Sequence, residues 1–164
     1  MVKNKTSTYL AGPIGVVIQK GAMEWRQNIT DSLSKFGIEV LNPMGEGGGD
    51  RLGKNRAKLK LWMENGEIDK VRDFVKNVII PPDLKMVEDC TFVTLYVPED
   101  NGYEICGTYG EATLQYFLKK PLLIVTDRSL KPIKLPAWLI GCSTKVFSNW
   151  KEYLEYIEDT YVDD

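Results

Sequence analysis

Histidine is absent from all 164 residues. That excludes Ser-His-Asp and Cys-His nucleophilic systems, histidine general-base chemistry and most catalytic zinc sites. An enzyme of this composition has to work with carboxylates, tyrosines, lysines or backbone dipoles. Cysteine is scarce too: Cys90, Cys106 and Cys142 are an odd number, widely spaced and without a C-x-x-C pair. They read as reduced thiols in a cytoplasmic protein. No apolar run reaches the length that spans a bilayer, and Met1-Val2-Lys3-Asn4-Lys5 lacks the apolar region of a signal peptide, so no membrane partner is expected. Positive charge is not in excess either. The 21 Lys and Arg stand against 23 Asp and Glu, for a net charge of −2 and a pI near 5.3. Such a surface has no field for wrapping a nucleic-acid polymer, and a small anion would need a local pocket of donors.

What is present suits one globular domain over residues 1–164, with 43% hydrophobic and 27% charged residues. Thr8 to Ala11 is a β-prone run stopped by Gly12-Pro13. A helix is expected from about Ala22 to Phe36, with Trp25, Ile29, Leu33 and Phe36 on one face and Gly37 as its stop. Ile38 to Leu41 is a second strand, ended by Asn42-Pro43. The glycine-rich stretch from Gly45 to Gly53 reads as a loop, and Arg56–Asn65 and Ile68–Lys76 as helices. Pro81-Pro82 is expected to stop the chain, with Asp83 as N-cap of a short helix through Val87. Thr91–Val97 is an apolar third strand, Pro98–Gly107 a loop and Glu111–Lys119 a helix. Pro121–Thr126 is a fourth strand, and a loop holding Pro132 and Pro136 leads to a fifth run at Lys145-Val146-Phe147. A closing helix runs from about Trp150 to Thr160. Strands alternating with helices imply an α/β fold, a parallel sheet covered on both faces, with the ligand site beyond the carboxyl ends of the strands.

Four features could carry chemistry. In Gly107-Thr108-Tyr109-Gly110-Glu111 two glycines would let the backbone approach a ligand, and Glu111 would sit in the first turn of a helix, where the dipole favours a carboxylate. The same position also suits an ordinary first-turn glutamate. Asp83 reads as a cap or as an acid near the site, and Tyr9 as a core aromatic or as a hydroxyl holding a carboxylate. Gly48 to Lys54 spells G-x-x-x-x-G-K, the phosphate-binding P-loop pattern. The next residue is Asn55 where magnesium binding needs Ser or Thr, and several loop residues separate the pattern from the second strand.

Taken in order, Tyr9-Leu10-Ala11-Gly12-Pro13, Asp83-Leu84 ahead of Asp89, Gly107-Thr108-Tyr109-Gly110-Glu111, Lys120-Pro121, and Lys131-Pro132-Ile133 with Trp138 resemble the nucleoside 2-deoxyribosyltransferase family and its related nucleotide N-glycosidases. The resemblance runs from about Tyr9 to Phe147, apart from Gly45–Ile80. It implies a flavodoxin-like (Rossmann-like) three-layer fold with five parallel strands, no metal and no cofactor, and homo-oligomers with shared sites. It also implies that Glu111 attacks C1′ of a deoxyribose, that Tyr9 orients the Glu111 carboxylate and that Asp83 helps the base depart. Gly12, Pro13, Gly107, Thr108, Gly110 and Lys134 would line the substrate. The small-molecule partners would be a nucleoside or nucleotide and a free nucleobase. The chain departs from the family's pattern at two places. Ile105 stands where some members carry an acid or hydroxyl, with Glu104 and Asp100 nearby. Lys134 stands where transferases often carry asparagine, and a lysine suits a 5′-phosphate better than a neutral hydroxyl. Base transfer, hydrolysis of a nucleoside 5′-monophosphate and a non-catalytic nucleotide-binding domain are the three functions in play.

Overall fold

The computed structural model describes residues 5–13, 19–45, 55–99 and 106–162. In chain order these hold β1 (Ser7–Ala11), α1 (Gln19–Lys35), β2 (Glu39–Leu41), α2 (Arg56–Glu64), α3 (Ile68–Phe74), a π-helical turn (Val75–Ile79), α4 (Ile80–Asp89) and β3 (Phe92–Val97). They continue with α5 (Cys106–Phe117), β4 (Leu122–Thr126), α6 (Ala137–Cys142), β5 (Lys145–Phe147) and α7 (Trp150–Tyr161). The strands form one sheet in the order β2-β1-β3-β4-β5, and every pairing is parallel. This is the flavodoxin-like α/β arrangement expected from the alternation of strands and helices.

Alternate residues of the central strands feed two separate cores, as the two-residue period of a strand requires. Tyr9, Ala11, Val93, Leu95, Leu122 and Ile124 pack with Val87 of α4, Ala112 of α5 and Leu139 of α6. Leu10, Phe92, Leu123 and Val125 pack with Ile29 and Leu33 of α1 and Tyr153 and Ile157 of α7. Both faces of the sheet are thus covered, and the near-continuous apolar runs of β3 and β4 follow from that double burial.

Three local expectations are corrected. The chain does not stop at Pro81-Pro82: α3, the π-helical turn and α4 follow one another without a break. Both prolines fall in the first turn of α4, directly after the π-helical turn, whose wider winding accommodates their rings and missing N–H groups. Asp83 therefore lies inside the first turn and is not the N-cap, a position held by Ile79 without a side-chain cap bond. Second, α5 is already helical at Cys106, so Gly107, Thr108 and Gly110 are helical and Glu111 falls beyond the first turn. Burial of Thr108, Ala112 and Gln115 at helical spacing outweighs the turn preference of the two glycines. Third, the segment before β5 holds the short helix α6, which follows the extended Pro136 and buries Leu139 completely. The G-x-x-x-x-G-K run, Asp100, Glu104 and Ile105 lie outside the described residues.

Candidate active site

Strand β1 lies inside the sheet, between β2 and β3. In this strand order the connections leave in opposite directions between β1 and β3, which opens a crevice at the carboxyl ends. Tyr9 points from β1 into the core beneath α4 and α5, and the alternation of the strand fixes that choice of face. Its hydroxyl donates to Oε1 of Glu111 across 2.5 Å, joining residues 102 positions apart. Glu111 stands on α5 beside the buried stripe of Thr108, Ala112 and Gln115. As a residue it is half-buried, with its carboxylate bonded to Tyr9.

Burial dominates the electrostatics. It raises the Glu111 carboxyl from the ordinary 4.5 to about 7; the charge of Asp83 adds to the rise, while the Tyr9 hydrogen bond and Arg26 oppose it. The first-turn dipole expected to hold Glu111 ionised does not act here, because its influence fades within one turn of the helix end. Tyr9 is pushed well above the usual phenol value, first by burial, then by the negative charges of Glu111 and Asp83. Asp83, half-buried on the first turn of α4, thus acts on both partners from the neighbouring helix.

Arg26 belongs to the same group and was not singled out from the sequence. Its side chain has no exposed surface. Nη2 donates to the Gly12 carbonyl at 3.0 Å, Nη1 to the Ala22 carbonyl at 2.8 Å and to the Met44 sulfur at 3.8 Å. The guanidinium carbon lies 4.4 Å from the centroid of the Trp25 ring. The readable signal was a cation on the apolar stripe: Ala22, Arg26, Ile29 and Leu33 are the buried positions of α1, while Trp25 is half-buried.

Gly12 is held by more than a turn preference. Its φ is +154°, and a Cβ there would come within 3.0 Å of both the Trp25 ring and the Tyr96 carbonyl. Pro13, half-buried, follows it. Gly107 and Gly110 are exposed on α5, and a Cβ at either would meet no protein atom within 4 Å. Thr108 is buried against the sheet. Lys134 stays apart from the group: it is exposed after β4, and its backbone N–H donates to the Ser129 carbonyl at 2.8 Å. An open apolar groove, lined by Tyr109, Thr113, Leu114, Phe117 and Trp138, runs along another side of α5. Among the described residues no cluster of carboxylates and thiols could hold a metal ion, and no helix is long and apolar enough to cross a membrane.

Neither a family model nor a curated protein matches the chain. Solved structures do share its fold. A 2-deoxyribosyltransferase from the psychrotolerant bacterium Bacillus psychrosaccharolyticus is 15% identical, with a TM-score of 0.59 and 92% of each chain covered. A conserved protein from Enterococcus faecalis V583 is 14% identical, with a TM-score of 0.62, covering 95% of this chain and 99% of its own. At such identities the likeness establishes a common fold.

Proposed function

We propose that this chain cleaves the N-glycosidic bond of a 2′-deoxynucleoside, or of its 5′-monophosphate, with Glu111 as nucleophile, and passes the deoxyribosyl group to another base. The observation that carries this reading is the Tyr9–Glu111 bond at 2.5 Å, made at the β1/β3 crevice beside Asp83. The fold held in common with a 2-deoxyribosyltransferase supports it.

In the first displacement an oxygen of ionised Glu111 attacks C1′ from the face opposite the base. The C1′–N bond breaks, its electron pair leaves with the base, and Asp83 assists that departure by delivering a proton. Tyr9 holds the attacking carboxylate in one orientation. A second base then attacks C1′ and gives its N–H proton to the Asp83 carboxylate, the ester C1′–O bond breaks with its electron pair returning to Glu111, and two displacements give net retention. Without a 2′-hydroxyl the sugar reaches an oxocarbenium-like transition state more easily, so positioning and one nucleophile suffice. Turnover should rise with pH through about 7, where Glu111 ionises.

A second reading, hydrolysis of a nucleoside 5′-monophosphate to base and sugar phosphate, rests on the resemblance alone, in which a lysine at position 134 suits a 5′-phosphate. The groove beside α5 and the exposed Tyr116, Phe117 and Trp138 support self-association, which sedimentation or light scattering would reveal as a mass above 18.6 kDa. Chromatography of deoxynucleosides and their monophosphates, with and without acceptor base, tests the whole reading. A new nucleoside indicates transfer; free base with sugar phosphate, whether or not acceptor is present, indicates hydrolysis. Undiminished turnover in Glu111→Gln would remove Glu111 from the nucleophile's role.

A further inference from the structure

We infer that Arg128 is a specificity-determining residue of this site: its guanidinium, fixed where β3 and β4 leave the sheet, receives the 5′-phosphate of a nucleotide substrate. Thr126, Asp127 and Arg128, at the exit of β4, are tied to Tyr96, Val97 and Pro98, at the exit of β3. Thr126 Oγ1 donates to the Val97 carbonyl at 2.8 Å, and the Asp127 N–H reaches the same carbonyl at 3.2 Å. The Tyr96 hydroxyl donates to Asp127 Oδ2. The Arg128 N–H donates to Thr126 Oγ1 and its Nε to the Pro98 carbonyl, each at 3.0 Å. Holding the two exits together takes one of the five N–H donors of a guanidinium. Among the described residues Nη1 and Nη2 have no acceptor, and no carboxylate lies within salt-bridge distance of them. The adjacent Asp127 is bonded to Tyr96 instead. A planar fork anchored through Nε, with both terminal nitrogens open, presents the donor pair that grips a phosphate bidentately.

These exits border the crevice. Ala11 of β1 is paired with Leu95 of β3, and the next residue, Gly12, lies so close to Tyr96 that a Cβ would come within 3.0 Å of its carbonyl. Pro98, which anchors the guanidinium, is two residues further along. Adjacent strands are about 4.8 Å apart, so Arg128, half-buried, stands at the rim of the β1/β3 crevice that holds Tyr9 and Glu111. The Lys134 N–H donates to the Ser129 carbonyl, which brings a second, exposed cation to the turn that follows Arg128. Arg26, near the same edge, cannot serve: it is fully buried and both of its terminal nitrogens are spent on carbonyls. A chain of net charge −2 has no general field to draw in a phosphate, and open local donors have to do so.

The choice of ligand rests on the glycosidic reading, and the two can fail separately. kcat/KM is measured for a deoxynucleoside and for its 5′-monophosphate with wild type, Arg128→Gln and Arg128→Lys. Wild type should favour the monophosphate by about tenfold or more, the worth of charge-assisted hydrogen bonds. Arg128→Gln should lose about tenfold more on the monophosphate than on the nucleoside. Arg128→Lys keeps the charge without the fork, and its relative loss should fall between. Loss of the Pro98 tie alone would lower both substrates alike. An equal loss in folded Arg128→Gln, or none, therefore overturns the proposal, as does a wild type without preference for the monophosphate. If Arg128→Gln does not fold, the same ratio is read in Arg128→Lys, where an unchanged preference overturns it. A wild type that cleaves neither compound refutes the glycosidic reading, and calorimetric titration of the same two compounds then decides on Arg128. Binding of the monophosphate about tenfold tighter than the nucleoside, abolished in Arg128→Gln, upholds its role; the lack of that difference overturns it.

Discussion

Glu111→Gln should make the protein more stable while abolishing its proposed chemistry, and the gain should depend on pH in a calculable way. The glutamate carboxyl is held at about 7 in the folded protein against an ordinary 4.5. A folded value above the unfolded one means that the folded state binds the proton more tightly. This group's contribution is therefore fully present below about pH 4.5 and is lost as pH rises through 7. The difference of 2.5 units, at 1.36 kcal/mol per unit, gives a loss of about 3 kcal/mol by pH 8. Glutamine keeps a carbonyl oxygen to accept the Tyr9 hydroxyl and has no charge to bury. Urea unfolding of both proteins should thus show a stability difference that grows by about 1.4 kcal/mol per pH unit between pH 5 and 7 and then levels off. At pH 8 the variant should melt higher by roughly 6–12 °C, the range for about 3 kcal/mol in a chain of this size. A difference that is flat from pH 5 to 8 would refute the buried, destabilised carboxylate and with it the electrostatic account of the site.

Other perturbations separate the roles within the group. Tyr9→Phe removes a hydrogen bond to an ionised carboxylate, worth about 1.5–3 kcal/mol; kcat/KM should drop roughly 10- to 100-fold, and its acid limb should move to higher pH because that bond favours ionised Glu111. Asp83→Asn should shift the acid limb the other way, since the Asp83 charge opposes ionisation of Glu111; kcat should nonetheless fall by about 10²–10⁴ if Asp83 assists the leaving base, and a pH–rate profile reads both effects. Asn149→Ala, far from the chemistry, removes the side-chain cap that accepts the Glu152 N–H at 2.9 Å. It should cost about 1 kcal/mol and roughly 2–4 °C in the melting temperature, with turnover unchanged.

The strands and their sequence order were legible because doubly buried strands are short continuous apolar runs, as in Leu122–Thr126. Glu111, Tyr9 and Asp83 each had two readings from the residues alone, and only the resemblance grouped them. What was not legible depended on contacts distant in sequence. Gly107 and Gly110 look like turn residues locally, and only the packing of Thr108, Ala112 and Gln115 on the sheet makes their segment helical. Pro81-Pro82 looks like a stop, and only the widened turn before it lets the helix continue. Arg26 was passed over because a cation one residue after a tryptophan on an amphipathic helix is ordinarily assigned to solvent. Its partner at Gly12 becomes visible only once α1 lies against the end of β1.

These misreadings also bear on how the site works. A carboxylate in a first helical turn would be ionised and stabilised at rest, with little to gain from the reaction. In its observed place Glu111 is disfavoured as an anion by burial and by Asp83, and is held in check by one hydrogen bond and one distant cation. Tyr9 stays protonated and Arg26 stays charged at neutral pH, so of these three groups only Glu111 changes charge between pH 6 and 8. On the proposed reaction, the positive charge that develops at C1′ forms against this anion, whose interactions with it are absent in the resting state and strongest at the transition state. That differential, and not the mere presence of a glutamate, is what accelerates the step.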